Sequence, residues 1–323
     1  MLSDLVLLFV ERVSRQLYWS WPELRRWRWS IGKRLNSDRK KCRRDELLRY
    51  LDQIGVKDGA LVMVHTGTDN VEIMDESCRG PYNAIVQAQT LMQDLLRLTA
   101  PRGTLVMPTQ AKYQTDELRL ETTTSEITTY DPRRSPCGVG LVNELFWRRE
   151  GVKRSLFPFN MLAACGLLAD ELLCDNLNKR HPSPHGTDSG YYRFCQHNGL
   201  VVSIGVPLRE YITIAHVVEE VREDWPIKDF FTERNFRVVE DGIAKEWTVR
   251  LRRDDYAKFA YCRKKMGRDL VAEGVIHEGH VGTVRVDWAR AGEVFDFFWR
   301  KTKNNPYPYY ALWMMRKPWH KCS

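Results

Sequence analysis

Leu61-Val62-Met63-Val64-His65-Thr66-Gly67 is the stretch that decides the fold. Four consecutive apolar residues without period-two alternation predict a strand covered on both faces, the usual setting of a parallel sheet. Lys57-Asp58-Gly59 before it is a turn. Upstream, Leu47, Leu48, Leu51 and Ile54 recur at helical spacing, with Asp45 placed to cap that helix. Downstream, Ile85, Ala88, Leu91, Leu95 and Leu98 predict a second helix, and Pro101-Arg102-Gly103 turns the chain into another buried strand, Thr104 to Met107. Leu200, Val201, Val202 and Ile204, between Gly199 and Gly205, predict a third. Strands alternating with helices define an α/β layered fold. The polar stretch Gln114–Tyr130 reads as a long loop.

The chain has 323 residues, of which 43% are hydrophobic, enough for a sizeable core. Its formal charge of +8 is unevenly placed. Residues 1–44 hold twelve lysines and arginines against four acids, and the rest of the chain is neutral. Basicity therefore belongs to an N-terminal extension, and a globally basic nucleic-acid binder is disfavoured. Within the extension Leu2, Leu5, Val6, Phe9, Val10, Val13 and Leu17 give one helix an apolar face. Trp19, Trp21, Trp27 and Trp29 then interleave with arginines and lysines. Such a segment packs on its own domain or a partner subunit, or meets an anionic membrane surface. We read residues 1–44 as the extension and 45–323 as the enzyme domain. The eight cysteines form no CxxC pair, and no apolar run approaches the roughly 20 residues of a membrane span. Reduced thiols and a cytoplasmic location are expected.

Polar residues follow the buried strands, where α/β sheets place ligand crevices. His65-Thr66 ends the first strand and Pro108-Thr109 the second. Thr213, His216 and Glu219 fall three residues apart, on one face of a predicted helix. Transfer of an acyl group to an amine needs a neutral nucleophile, and a histidine is suited to remove the amine proton near neutral pH. His181 and His185, in His-Pro-Ser-Pro-His-Gly, do not read as metal ligands, because two prolines break any helix and no third ligand is adjacent. His277 and His280 flank a Glu-Gly turn and do not read as a metal pair either. No metal is expected.

These segments, taken in order, resemble the aminoglycoside 3-N-acetyltransferase family. The resemblance is carried by His65-Thr66, Gly103-Thr104-Leu105-Val106-Met107-Pro108-Thr109, Asp131-Pro132, Ser135-Pro136 and Gly138-x-Gly140-Leu141. It continues through Gly151-Val152-x-Arg154-Ser155, Gly186-x-x-Ser189, Gly199 to Gly205 and Thr213-x-x-His216-x-x-Glu219, spanning about residues 45 to 300. It implies a three-layer α/β/α sandwich, distinct from the commoner acetyltransferase fold, whose Gly-rich phosphate loop is not found in the sequence. It implies acetyl-CoA as co-substrate and an amine of an aminoglycoside or related amino sugar as the small-molecule acceptor. His216 then becomes the general base and Glu219 its partner. His65, Thr66, Thr109, Arg154, Ser155, Gly186, Ser189 and Thr213 are assigned to the cofactor, and His181 and His185 to the acceptor. A homo-oligomer and peripheral membrane contact through residues 1–44 are left open.

The sequence departs from the family's pattern at three places. Phe157-Pro158 stands where members that modify aminoglycosides commonly carry His-Pro, and Ser189-Gly190 replaces Ser-Pro. No downstream acid is matched near Cys262. The loop acids Asp116, Glu117, Glu121 and Glu126 are candidates to meet a polycationic acceptor. A catalytically idle relative, acting as a binding protein through its basic segment, is the competing reading.

Overall fold

The computed structural model describes residues 2–21, 23, 39–69, 71–75, 83–113, 127–174, 177, 182–304 and 308–310. The chain opens with α1 (Leu2–Ser20), and β1 (Lys40–Arg43) runs directly into α2 (Arg44–Gln53). Next come β2 (Leu61–Thr66), β3 (Val71–Met74), α3 (Ala84–Thr99), β4 (Thr104–Pro108) and β5 (Thr128–Tyr130). They are followed by α4 (Leu141–Trp147), β6 (Lys153–Arg154), β7 (Leu162–Gly166), α5 (Ala169–Leu173), α6 (Gly190–Gln196), β8 (Leu200–Ile204) and α7 (Leu208–Tyr211). A 3₁₀ turn (Thr213–His216) leads into α8 (Val217–Val221). The hairpin of β9 (Phe231–Glu240) and β10 (Ile243–Arg252) precedes a π-helical turn (Tyr256–Ala260) and α9 (Arg263–Ala272). β11 (His280–Val281), β12 (Val284–Arg290) and α10 (Ala291–Asn304) complete the described order.

Seven strands form the main sheet in the order β11-β12-β8-β2-β4-β7-β6. Its centre, β8-β2-β4, is parallel, and β12 and β7 flank it antiparallel. The three predicted buried strands are these three central ones. Successive side chains of a strand point to opposite faces, and both faces here are apolar. Val62, Val64, Leu105, Met107, Leu200 and Val202 pack with Leu47 and Leu51 of α2, Leu91 and Leu95 of α3 and Phe146 of α4. Met63, Val106 and Val201 join Phe194 of α6, Leu270 of α9 and Phe297 of α10 on the other face. Helices therefore cover the sheet on both sides, as a three-layer α/β/α architecture requires. Gly205 ends β8 at φ 81°, and a Cβ there would collide with the Gly67 carbonyl, so glycine is what lets β8 and β2 end side by side.

Several local expectations are revised. Asp45 lies inside the first turn of α2, whose N-cap is Arg43; the carboxylate pairs with Arg43 and Arg49 and caps nothing. The last residues of the expected 114–130 loop form β5, which joins the β9–β10 hairpin in a second, three-stranded sheet. That hairpin turns at Asp241-Gly242, both at positive φ, and was not anticipated. Its core holds Tyr130, Phe236, Val238, Val249 and Phe157. The boundary drawn after residue 44 falls late: Cys42 is buried with Leu47 and Val64, and Arg44 bonds Asp94 at 2.6 Å and Asp75 at 2.7 Å. α1 forms as predicted, but it docks through Leu8, Glu11, Arg12 and Arg15, and its apolar face is exposed.

Candidate active site

β8 ends at Ile204, and the chain turns through Pro207 into α7, whose first amide (Leu208) donates to the buried Asp287 carboxylate at 3.0 Å. Buried Ile212, Ile214, Ala215, Val217 and Val218 then pin the 3₁₀ turn and α8 against the core. The side chains left facing the hairpin are His216 and Glu219. Their Nδ1 and Oε2 atoms lie 3.1 Å apart, so the i,i+3 pairing expected from the sequence is formed.

A second histidine–carboxylate pair stands beside the first. His185 Nδ1 is 2.6 Å from Glu220 Oε1, its amide donates to Glu220 Oε2 at 2.7 Å, and both side chains are almost fully buried. The His185 and His216 rings are 5.8 Å apart between centroids. Adjacent carboxylates on one short helix thus orient two neighbouring imidazoles. His185 Nε2 meets Asn160 Nδ2 at 3.1 Å, and Asn160 Oδ1 accepts from Gln110 Nε2 at 3.0 Å, next to Thr109. A polar chain therefore runs from the end of β4 to the paired histidines.

Arg252, the last residue of β10, lies along the His216 ring: its guanidinium nitrogens are 2.9 Å from Nδ1 and 3.3 Å from Nε2. It also reaches Glu219 at 3.4 Å and the Tyr310 hydroxyl at 3.1 Å. Tyr310 donates a further hydrogen bond to Glu219. Burial, and then the Arg252 charge, push the His216 imidazole below its ordinary pKa, against the upward pull of Glu219. Burial alone would raise the Glu219 carboxyl, but His216 and Arg252 outweigh it and hold the group below the usual carboxylate range. At neutral pH the arrangement is a neutral imidazole beside a carboxylate and a guanidinium. With Nδ1–H directed at Glu219, Nε2 carries the lone pair. The pocket on the far side of Glu219, lined by Trp225, Tyr261 and Tyr310, has room for about one water, roughly 10 Å³. Glu219 thus faces no substrate-sized cavity there.

The other sequence candidates divide into two groups. His65 and Thr66 close β2 beside Ser203 and Ile204 of β8. Burial pushes the His65 imidazole down to about 4, so it is neutral at pH 7 and presents no positive charge to a phosphate. Thr66 Oγ1 donates to Asn143 Oδ1 at 2.8 Å, and Asn143 Nδ2 donates to the Pro108 carbonyl at 2.7 Å, tying the ends of β2 and β4 together. Thr109 is fully buried next to Pro108. Arg154, however, spends its guanidinium on the fold. It donates to the Thr109 carbonyl at 2.6 Å and the Ser135 carbonyl at 2.6 Å, and stacks 4.4 Å from Trp147. Ser155 accepts from the Phe157 amide, and Ser189 is the N-cap of α6, accepting from Tyr192 at 3.1 Å. Gly186 supplies the carbonyl that closes the turn onto Ser189, and Thr213 sits against Tyr191. His181 and the loop acids Asp116 to Glu126 lie outside the described residues. His277 stacks on Trp288 at 3.9 Å. A cleft of about 850 Å³ beside β6 is lined by Arg133, Arg148, Lys153 and Asp170. Three of its cations already pair with acids, Arg133 with Asp241, Arg148 with Glu144 and Lys153 with Asp170.

Sequence reasoning missed Glu220, Asn160, Arg252 and Tyr310. The Glu219-Glu220 doublet was visible but had no assignable partner. Arg252 and Tyr310 reach the site across 36 and 91 residues, which no local spacing records.

The sequence profile of the aminoglycoside 3-N-acetyltransferase family matches residues 58–302. The chain belongs to that family and is by that membership an N-acetyltransferase, with acetyl-CoA as its co-substrate. It is 28% identical over 284 residues to aminoglycoside N(3)-acetyltransferase IX of Micromonospora chalcea, covering 79% of this chain and 91% of that one. It is 27% identical over 245 residues to aminoglycoside N(3)-acetyltransferase IV of a Salmonella species, covering 74% and 79%. Among solved structures, aminoglycoside acetyltransferase AAC(3)-Xa superposes with a TM-score of 0.64 at 26% identity, over 82% of this chain and 93% of that one. AAC-IIIb in binary complex with CoASH superposes at 0.63 with 18% identity, over 82% and 97%.

Proposed function

We propose that the protein transfers the acetyl group of acetyl-CoA directly to an amine of an aminoglycoside or related amino sugar, with His216 as general base. Family membership supports the reaction class, and the names of the relatives support the acceptor class. The observation that carries the mechanism is the buried His216–Glu219 pair, whose imidazole is held neutral at pH 7. The amine nitrogen attacks the thioester carbonyl, the carbon–nitrogen bond forms and the carbon–sulfur bond breaks. His216 Nε2 takes the amine proton and returns it to the departing CoA sulfur. Glu219 is a positioning residue that fixes the ring tautomer and stabilises the transient imidazolium. Arg252 lowers the basicity of the ring. It thereby favours return of the proton to sulfur. The His185–Glu220 pair stands where the acceptor's amino groups would be bound.

The competing binding-only reading has no structural observation in its favour, since the paired histidines are fully assembled. The test is CoA thiol release with a panel of aminoglycosides and amino sugars, comparing the full chain with His216→Ala. Removing a general base costs on the order of 10²–10⁴ in rate. The variant should lose turnover to that extent and keep its affinity for acetyl-CoA. Near-normal turnover in His216→Ala would remove His216 from the mechanism, and absence of acetyl-CoA binding by the unaltered chain would remove the whole reading.

A further inference from the structure

The polar side of α1 is the side that holds it to the protein. Glu11 accepts from the Lys264 amide at 3.0 and 3.2 Å. Arg15 donates to the Lys258 carbonyl at 2.8 Å and the Ala257 carbonyl at 2.6 Å. Leu8 packs against Cys262. This leaves Leu5, Val6, Phe9, Val10, Val13 and Leu17 exposed along the opposite side, with Phe9 52% and Val10 53% accessible. Trp21, just beyond the helix, continues the stripe at 59%. Six apolar side chains over more than three turns make a continuous outward strip, where a soluble helix ordinarily shows charge. No described helix is long and apolar enough to cross a membrane.

We propose that this outward face of α1 docks the protein on an anionic lipid surface. The sequence that follows the helix fits that occupant: residues 19–34 carry Arg25, Arg26, Arg28, Lys33 and Arg34 against the single acid Glu23, together with four tryptophans. Apolar side chains entering the headgroup boundary, next to a basic and tryptophan-rich segment, are the two signals that together hold a protein on a bilayer. Each basic residue near an anionic leaflet adds on the order of 1 kcal/mol. A second copy of this chain is the weaker occupant, because pairing two such helices would bring two basic segments of like sign together. The protein body takes the place of solvent on the polar face of the helix, so insertion is confined to the outward strip. The docking face is also one layer from the site: Arg15 holds carbonyls of the turn that delivers Tyr261, whose ring is 5.4 Å from His216.

The experiment is co-sedimentation of the full chain with vesicles of phosphatidylcholine alone and of equal parts phosphatidylcholine and phosphatidylglycerol. Binding is expected to the anionic vesicles only. Phe9→Ser/Val13→Ser should weaken it roughly tenfold or more while cooperative unfolding is unchanged. Should that variant fail to fold, brominated acyl chains in the vesicle must quench tryptophan emission of the unaltered protein. Equal binding by a folded variant would overturn the proposal, as would absence of quenching or of anionic-vesicle binding. A concentration-dependent dimer in place of vesicle binding, dissolved by the same substitutions, would give the face to a second copy and overturn it too.

Discussion

The helices α1 and α10 both carry apolar side chains at three- and four-residue spacing, and they use them in opposite directions. In α10, Val294, Phe297 and Phe298 are buried in the core, while Lys303 faces out. In α1, Phe9, Val10 and Val13 face out, and Glu11 and Arg12 are buried. Periodicity shows that a helix has an apolar face; it does not say where that face points. The direction of α1 is set by unsatisfied backbone. α9 begins without a side-chain cap of its own, and its exposed first amides draw in Glu11. The Ala257 and Lys258 carbonyls take Arg15 in the same way.

The comparison breaks most directly by truncating one aromatic in each helix. Phe297→Ala should cost about 3–5 kcal/mol in denaturant unfolding, the usual figure for a buried phenylalanine. Phe9→Ala should stay within about 0.5 kcal/mol of the unaltered protein, as for an exposed position. Equal losses would mean that the α1 strip is a core face and that the contrast between the helices is false.

The two regions also treat buried ionisable groups differently. Glu11 and Arg15 go inside with polar partners, whereas His65 at the end of β2 is shifted by burial alone, to about 4. Its folded pKa lies below the 6.5 of the unfolded chain, so the unfolded state binds the proton first as pH falls. Stability from this residue is therefore fully present above about pH 6.5 and is lost progressively down to about pH 4, by at most about 3 kcal/mol. Solvent reaching this half-buried ring reduces that figure. His65→Gln should flatten the pH dependence of the unfolding free energy in this window. An unchanged slope would show that His65 keeps an ordinary pKa. His216 has the same sign, so the rate profile of the enzyme should stay level from neutral pH downward until the pH falls below the ordinary histidine range.

What the sequence made legible follows from range. Val62 to Val64 and Val201 to Val202 announce buried strands because each strand is covered on both faces, a purely local consequence of the layered sheet. His216 and Glu219 were paired in advance because three residues of a helical turn bring them together. His185 and Glu220 were not, being 35 residues apart and joined only by the fold. The hairpin carried a local signal at Asp241-Gly242, but Thr232 to Asn235 and Ala244 to Glu246 lack the apolar alternation that would have supported it. Phe157 read as a lost polar group; in the structure it fills the core between β5 and the hairpin.

The smallest expected effect tests why α1 faces as it does. The Lys264 amide lies in the first turn of α9, where no intrahelical acceptor exists, and the Cys262 N-cap offers no side-chain oxygen. Glu11 supplies that oxygen from 253 residues away. A side-chain cap is worth about 1 kcal/mol. Glu11→Ala should therefore lower stability by about that amount and raise amide hydrogen exchange at Lys264 and Lys265 well before the core strands respond. Glu11→Gln keeps a carbonyl oxygen that can accept the same bond, so it should restore most of the loss. If Glu11→Gln falls as far as Glu11→Ala, the charge and not the hydrogen bond holds the helix. The outward strip would then owe its direction to the Glu11–Arg15 pair, 3.8 Å apart. If neither variant changes exchange in α9, the docking is held by Leu8 and Arg15 alone, and the capping account of the inverted helix fails.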